Sequence, residues 1–500
     1  MISGNSQSTP PALAQSKLLF WLTGVALALA AGRAGFSGWD TPIWLDESYT
    51  ATIATQPSFE RLIDWCLHEL SGPIYYTVMW VWVKLFGDSA FSLRLPSLIF
   101  AVATPLLILW KGHPSRDTRL VWAVLIALWL PAVTFTSQAR PYAMLMLLGT
   151  AQAILFYRLI AHGGRNQALA WSVVSALLAL THYYTLPVTT FQGLIYLALR
   201  PREIGRTWPA ALAFAPVGLW MVAHLPFVLS YMRPGVAWFP TLSLSGSWYI
   251  PVALMGGNHV VGILFIVMVP MLVLHSVRGI MGRSVAPYTT AELATAGASI
   301  IAALLLVVLG FFKPVFFLRY LVPCIPGLLL GFAVWTTAMS RRFSLLPTAV
   351  VGTAIIFGAS QLNDLVKHPE KDLRHSFSFE KPSLWLRQQK LRRLVFFWDN
   401  VSASISTPAR TGEMASYFLH RDGWRGPVIV PPIAGQKVDP NIALAAIATQ
   451  PGDGIIWAYD EHAGDAQGVK HPPVLGRKSS PYECRDFGGG SIKIITCIRR

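Results

Sequence analysis

Long apolar runs recur through the first 360 positions of the chain, and polar residues fall mainly in the short connections between them. Most runs approach or exceed about 18 residues, the length that a helix needs to cross a hydrocarbon core of ~30 Å. The pattern predicts eleven membrane-spanning helices, the first of them retained. They are expected near 18–36, 91–110, 120–136, 143–160, 169–181, 185–199, 208–230, 258–277, 293–312, 316–338 and 344–361.

One apolar run, "GPIYYTVMWVWVKLFGDS" at 72–89, is shorter than the others. Its roughly 14 uninterrupted positions would span about 21 Å, so we expect an interfacial or re-entrant helix within a first external loop, 37–90. The charges agree: with the N-terminus inside, cytoplasmic connections such as "KGHPSRDTR" and "HSVRGIMGRS" are basic. Counting 72–89 as a span would reverse every later loop and break this pattern.

The pattern changes after about residue 362. A charged linker, "NDLVKHPEKDLRH", precedes three predicted strands, "RLVFFWD", "PVIVPP" and "DGIIWAYD", which alternate with the helix-like "TGEMASYFLH" and "NIALAAIAT". This alternation is typical of a small α/β domain. We therefore predict a helical polytopic membrane domain at 1–362 and an external α/β domain at 363–500.

Composition supports this division. The chain is 53% hydrophobic and 13% charged, whereas about 25% of the residues in a soluble domain are charged. The net charge of +16 comes from basic residues dispersed among loops, which excludes a nucleic-acid patch. Cys484 and Cys497 flank "RDFGGGSIKIIT", and both a cross-strand disulfide, typical of an oxidising compartment, and two buried thiols fit this spacing.

Acidic residues of the membrane domain are concentrated in one place. Ten precede position 363, and seven of these lie in the first external loop: Asp40, Asp46, Glu47, Glu60, Asp64, Glu69 and Asp88. Asp46 and Glu47, in "WLDESYT", follow the first span closely, which places them at the outer membrane surface. A carboxylate there can take a proton from an acceptor hydroxyl.

Isolated cations mark the same predicted face. Arg140 in "SQARPYAM", Lys313 in "FFKPVF" and Arg319 in "FLRYLVP" each lie beside a proline or an aromatic residue. Such residues either snorkel to the interface or bind an anion. Together they predict a phosphate site, because arginine offers a fork to phosphate oxygens and lysine a point charge. Further cations on this face are Arg61, Lys84, Arg94 and Arg233.

Several stretches between about 40 and 335 resemble the GT-C membrane glycosyltransferases, in particular bacterial relatives of protein O-mannosyltransferases and of the lipid A aminoarabinose transferase. The matching stretches are "WLDESYT", "GPIYYTVMWVWVKLFGDSAFSLRLPSLIF", "ARPYAMLMLL", "THYYTLP" and "KPVFFLRYLVPCIPGLLLGFA". The resemblance implies an inverting enzyme of the bacterial plasma membrane, with a periplasmic C-terminal domain. It would move a sugar from a polyprenyl-phosphate carrier to a lipid, polysaccharide or protein acceptor.

The resemblance also implies residue roles. Asp46 would be the general base, and Glu47 would position the acceptor or a divalent cation. The donor phosphate would contact Arg140, Lys313, Arg319 and His182. Substrate contacts are expected from Trp44, Tyr75, Tyr142, His68 and Glu69, although His182 and Trp44 also suit interfacial anchoring and Tyr75 suits packing.

The chain departs from its relatives at two points. Gly72 stands where many relatives have histidine, and the second external loop, "QARPYAM", has no acid. A divalent metal is therefore left open, with Asp46, Glu47 and Glu69 as its candidate ligands. A rival interpretation, a polytopic transporter or lipid flippase, would favour internal repeats and broken helices, and the sequence shows no obvious repeat.

Overall fold

The structure is a computed structural model. It describes residues 10–36, 41–69, 71–129, 137–231, 241–254, 257–281, 283, 285–313, 316–368, 378–398, 407–421, 423–431, 444–445, 449–460, 475, 480–487 and 492–500. Arg233, Asp40 and most of the helix-like segment 441–449 lie outside these ranges. The linker "NDLVKHPEKDLRH" is described only up to residue 368.

The described chain is mainly helical. Its α-helices are α1 Pro10–Phe36, α2 Leu45–Ala54, α3 Phe59–Cys66, α4 Pro73–Phe86, α5 Ala90–Lys111, α6 Arg116–Ala127, α7 Tyr142–His162, α8 Arg165–Ala179, α9 Leu186–Leu199, α10 Ile204–Thr207, α11 Ala215–Tyr231, α12 Leu244–Ser247, α13 Ile250–Leu254, α14 His259–Ile280, α15 Thr290–Phe312, α16 Ile325–Met339, α17 Leu346–Lys367, α18 Glu380–Arg387 and α19 Pro408–Arg421. Short 3-10 helices cover Tyr183–Thr185, Pro201–Glu203, Trp208–Phe214 and Leu318–Cys324.

Each of the eleven predicted spans overlaps a helix or a pair of consecutive helices, and residues 130–136 of the span predicted at 120–136 lie outside the described residues. Within the described residues, eight segments are long and apolar enough to cross a membrane. The other three predicted spans correspond to α6, α8 and α9, which have 12, 15 and 14 residues. The prediction of a polytopic helical membrane protein is confirmed. The short run at 72–89 forms α4, whose 14 residues match the predicted length.

A glycine ends α4. Gly87 has φ of 77°, a left-handed conformation that glycine adopts without steric cost. Its N–H donates to the carbonyl of Val83 at 2.9 Å. The chain then begins α5 three residues later, so the "LFGDS" stretch is a helix-ending turn.

The described chain divides into two compact units. Unit 1 contains Met1–Gly38, Arg94–Met221 and Thr241–Val366, and unit 2 contains Trp39–Leu93, Val222–Pro240 and Lys367–Arg500. The first external loop therefore belongs to the same unit as the C-terminal region.

In unit 1, α16 packs against α6, α7 and α15 and is almost fully enclosed. Small residues permit this close approach. A Cβ built on Gly331 would lie 2.7 Å from the Cβ of Ala296, and one on Gly327 would lie 2.9 Å from the Cβ of Ser299. Helices in membranes associate through such small-residue faces.

A buried polar network joins three further helices of unit 1. The Nε2 amide of Gln152 on α7 donates to Ser175 Oγ on α8 at 2.8 Å and to Thr189 Oγ1 on α9 at 2.9 Å. All three side chains are buried. In an apolar surrounding these paired groups stabilise the helix arrangement, because an unpaired amide would be costly.

Unit 2 contains a five-stranded sheet of order β2-β1-β3-β5-β4. The strands are β1 Arg393–Trp398, β2 Val428–Ile429, β3 Asp453–Asp460, β4 Tyr482–Asp486 and β5 Ile492–Arg499. β1 is parallel to β2 and β3, and β5 is antiparallel to β3 and β4. The predicted strands and the helix at 411–420 are present, the latter within α19. Cys484 and Cys497 are register partners and form a disulfide, so the first of the two alternatives holds.

Candidate active site

Unit 1 brings together Arg140, His182 and Arg319, here called the Arg–His–Arg cluster. Arg140 lies just before α7, His182 lies between α8 and the 3-10 helix Tyr183–Thr185, and Arg319 lies in the 3-10 helix Leu318–Cys324. Arg140 and His182 are buried, and Arg319 is partly buried. The charges of both arginines act on the His182 imidazole. Three residues from distant parts of the sequence therefore meet at connections between helices.

The geometry of His182 fixes its protonation. Its Nδ1 accepts a hydrogen bond from the backbone N–H of Tyr184 at 3.3 Å, so the ring proton is on Nε2. Burial, then the charges of Arg140 and of Arg319, lower the pKa of His182 to about 3. The imidazole is consequently neutral near pH 7 and offers one N–H donor.

Aromatic rings hold the cluster in place. Tyr184 and Tyr320 stack with centroids 4.0 Å apart and planes 9° apart, and His182 lies 5.4 Å and 5.9 Å from these two rings. The Arg319 guanidinium lies over Phe317 at 4.9 Å. Sequence reasoning did not select Tyr184 or Tyr320, although both stand inside the motifs "THYYTLP" and "FLRYLVP".

Two other predicted residues of unit 1 flank these elements. Tyr142 is buried in the first turn of α7, two positions after Arg140. Lys313 follows the last residue of α15 and is exposed. Its predicted contact with a donor phosphate stays a prediction.

A further guanidinium is fully enclosed in unit 1. Arg94, in "LFGDSAFSLRLPS", is 1% exposed on α5. One turn later, Ser97 Oγ donates to the carbonyl of Gln138 at 2.6 Å, which attaches α5 to the segment that carries Arg140. Buried cations in membrane proteins are functional candidates. The sequence pattern placed Arg94 among the external cations but did not select it for the site.

In unit 2, the acid pair begins a helix. Trp44 is the N-cap of α2, and Asp46 and Glu47 occupy its first turn, where the positive end of the helix dipole favours carboxylates. Glu47 is 0% exposed, and its Oε2 accepts from the backbone N–H of Trp44 at 3.3 Å. Asp46 is partly exposed. Glu47 therefore stabilises the start of the helix that presents Asp46.

The other predicted residues of unit 2 lie after α3 or at the start of α4. The His68 ring is 5.6 Å from Phe227, and its Nδ1 lies 2.9 Å from Arg410 Nη2. Glu69 is buried, and burial together with the Glu69 charge raises the pKa of the Cys66 thiol. Tyr75 is 0% exposed and meets Tyr76 edge to face, which is typical of packing.

The candidate metal ligands Asp46, Glu47 and Glu69 all belong to unit 2. Among the described residues, no group of three or more His, Cys, Asp or Glu side chains could hold a metal ion. Glu47 Oε2 is already used by the start of α2. Asp46, Glu47 and Glu69 do not make a three-ligand site in this arrangement, and cation binding stays a prediction.

Comparisons with known proteins show the fold. No family model and no curated protein matches the sequence. The structure of ArnT from Cupriavidus metallidurans in the apo state matches with a TM-score of 0.56 and 12% identity, over 97% of this chain and 98% of that chain. The same ArnT bound to undecaprenyl phosphate matches with a TM-score of 0.50 and 12% identity, over 98% of both chains. The chain has the fold of these ArnT structures, in agreement with the resemblance seen in the sequence.

Proposed function

We propose that this protein is an inverting glycosyltransferase that moves a sugar from a polyprenyl-phosphate carrier to an acceptor hydroxyl on the external face of the membrane. The observation that carries the proposal is the Arg–His–Arg cluster, with Arg140 and His182 buried, in a chain with the ArnT fold. One ArnT structure is bound to undecaprenyl phosphate, a ligand of the predicted donor class.

Each group has a chemical task in this reaction. Asp46 accepts the proton of the acceptor hydroxyl as its oxygen attacks the anomeric carbon. The bond between that carbon and the phosphate oxygen breaks, and the electron pair leaves with the polyprenyl phosphate. Arg140 and Arg319 stabilise the growing phosphate charge, and the Nε2–H of neutral His182 donates to a phosphate or sugar oxygen.

A disulfide in the C-terminal region favours an external location for that region. Disulfides persist in oxidising compartments such as the bacterial periplasm, and unit 2 contains the Cys484–Cys497 bond. We therefore place the α/β region and the first external loop on the periplasmic side of a bacterial plasma membrane.

Reconstitution tests the proposal. Protein in liposomes receives a panel of polyprenyl-phosphate sugars with lipid, polysaccharide and peptide acceptors, and released polyprenyl phosphate is measured. We expect release with at least one donor and its loss in Asp46→Asn. Glu60→Gln is the matched control, because Glu60 is an exposed acid of the same loop. Movement of the donor across the bilayer with its sugar intact, and no release by any donor, would contradict the proposal and favour a flippase.

A further inference from the structure

Helix α19 of the C-terminal region lies along the first external loop within unit 2. Its 14 residues extend about 21 Å. Near its N-terminal end it contacts α3, and its last residue contacts the turn after α4. The same helix packs against α2, which carries Asp46 and Glu47. A single helix thus touches α3, the turn after α4 and the acid helix α2.

The contact between α19 and α3 consists of charged and aromatic side chains that interact with one another. Arg410 Nη2 donates to Asp64 Oδ1 at 3.0 Å, and Arg61 Nη1 donates to Asp64 Oδ2 at 3.1 Å. Glu413 pairs with Arg61 and accepts from Trp65 Nε1 at 2.8 Å. The Arg410 guanidinium also covers the Trp65 ring at 4.9 Å. Each carboxylate in this set bridges two partners, so the contact is geometrically specific.

Arg410 also meets the C-terminal end of α3. Its Nη2 lies 3.4 Å from the carbonyl oxygen of Asp64 and 2.9 Å from His68 Nδ1. The last carbonyls of a helix lack intrahelical partners, and a cation there is favoured by the helix dipole. The Arg410 side chain is 11% exposed and the Asp64 side chain is 38% exposed, so water partly screens this ion pair.

The opposite end of α19 is attached separately. Arg421 Nη1 donates to the carbonyl of Asp88 at 2.5 Å and to the hydroxyl of Tyr417 at 3.2 Å. Asp88 directly follows Gly87, the residue that ends α4. The distance between the end of α3 and the end of α4 is therefore set by contacts with one rigid helix.

The acid helix is joined to the same framework. Trp44, the N-cap of α2, forms an antiparallel bridge with Ser378. The next residue, Phe379, stacks on Phe418 of α19 with centroids 4.4 Å apart and planes 6° apart. Tyr49 of α2 lies 6.2 Å from Trp398, the last residue of β1. Both the start and the middle of α2 are thus held by the C-terminal region.

We propose that α19 is a positioning element for the general-base helix, and that Arg410 is its principal positioning residue through Asp64 and Trp65. The C-terminal region then does more than add an external domain, because it sets the orientation in which Asp46 is presented. This inference rests on the proposed function only where it concerns turnover. The structural part concerns unit 2 alone.

Hydrogen exchange of the full-length protein in detergent tests the structural part. In Arg410→Gln we expect amide exchange within 45–69 to become about tenfold faster or more, as expected for loss of charge-assisted hydrogen bonds. Exchange in β1 should stay unchanged. Arg425→Gln is the control, since Arg425 is exposed and donates only to the carbonyl of His420 among the contacts described. Unchanged exchange within 45–69 in Arg410→Gln would overturn the inference.

A misfolded variant is recognised in the same experiment. If β1 also exchanges faster in Arg410→Gln, the Arg410→Lys variant is used instead. Lysine keeps the charge and loses the planar guanidinium that reaches Asp64 and lies over the Trp65 ring. We expect faster exchange within 45–69 for the lysine variant with β1 protected. Equal protection of 45–69 in Arg410→Lys and wild type would then refute the role of the Arg410 guanidinium.

Turnover provides the functional part. Asp64→Asn and Arg410→Gln should each lower kcat about tenfold with little change in the donor KM, and the double variant should fall no further than the worse single one. Additive losses, or a kcat within twofold of wild type in Arg410→Gln, would contradict the positioning role. A wild-type protein that transfers no sugar refutes the proposed function, and the exchange comparison still tests α19 independently.

Discussion

The rings of Tyr184 and Tyr320 stack 4.0 Å apart in nearly parallel planes, although 136 positions separate the two residues in the sequence. This contact joins the segment that carries His182 to the segment that carries Arg319. We expect Tyr320→Leu to loosen the Arg–His–Arg cluster and to raise the dissociation constant for a polyprenyl-phosphate donor about three- to tenfold, because an aromatic pair contributes about 0.5–1.5 kcal/mol beyond its buried area. Titration with a fluorescent donor analogue measures this dissociation constant. Tyr320→Phe keeps the ring stack and should bind the donor like wild type.

Arg319 provides a direct test of donor binding. Arg319→Gln removes a charge-assisted contact of roughly 1.5–3 kcal/mol, so the donor dissociation constant should rise about ten- to hundredfold. Arg319→Lys should recover part of this loss, because lysine keeps the charge but not the fork. Arg341→Gln is the control, since Arg341 is exposed in the connection between α16 and α17. Equal donor affinity in Arg319→Gln and wild type would assign Arg319 to the snorkelling alternative.

The lowered pKa of His182 predicts how the stability of the folded protein depends on pH. Its pKa is lowered from 6.5 to about 3 in the folded protein, so protonation favours the unfolded chain. The contribution of the neutral ring is fully present above pH 6.5 and is lost as the pH falls towards 3. Between pH 7 and pH 4 the loss is roughly 3 kcal/mol. Thermal unfolding in detergent should therefore show a smaller fall in Tm for His182→Gln than for wild type, whereas the exposed His162→Gln should follow wild type.

Gly327 tests the packing of α15 against α16. A Cβ at this position would lie 2.9 Å from the Cβ of Ser299 and 3.2 Å from the carbonyl oxygen of Thr295. Gly327→Ala should therefore lower the free energy of unfolding by about 1–3 kcal/mol, the usual cost of overpacking. Gly297→Ala, on α15 with nothing within 4 Å of its added Cβ, should be neutral or slightly stabilising. A Tm for Gly327→Ala equal to that of wild type would show that the two helices can separate without cost.

A buried ion pair tests the C-terminal sheet. Arg393 and Asp453 are register partners on β1 and β3, with both Asp453 oxygens 3.0 Å from Arg393 Nε, and the Asp453 side chain is fully buried. Asp453→Asn leaves a partly buried guanidinium without its counter-charge, which should cost about 3–5 kcal/mol. Glu483→Gln removes an exposed pair with Arg500 and should cost less than about 1 kcal/mol. Thermal unfolding, followed by the tryptophan fluorescence of β1 and β3, distinguishes the two variants. An equal fall in Tm for Asp453→Asn and Glu483→Gln would contradict a stabilising role for the buried pair.

Hydrophobic pattern was sufficient for the membrane part of the fold because helices in lipid satisfy their backbone groups internally. The length of an apolar run then largely determines the element, as the 14-residue α4 shows. The pairing of the strands that carry Cys484 and Cys497 could also be predicted locally, since a glycine turn lies between them. The sequence could also place Asp46, Arg140, His182 and Arg319 as candidates, because charge is rare in such a chain and its positions stand out.

Long-range relationships were beyond that reasoning. Glu47 was expected to help position the acceptor or a divalent cation, which stays a prediction, whereas its hydrogen bond from the backbone N–H of Trp44 was not foreseen. Trp65 and Glu413 meet although 348 positions separate them, and neither residue belongs to a motif. Neither pattern nor composition reports which external helix lies beside another, because many pairings would bury the same apolar area.

The sequence by itself determined that this chain is a polytopic helical membrane protein with most of its membrane-domain acids between positions 40 and 88 and isolated cations at helix ends, since the cost of placing charge in lipid constrains every position locally. Only the tertiary structure decided which cations meet around His182, and which helix of the C-terminal region supports the loop that carries Asp46. Those choices depend on side-chain packing and on charge pairs between segments far apart in the chain, and their energies exist only once the chain is folded.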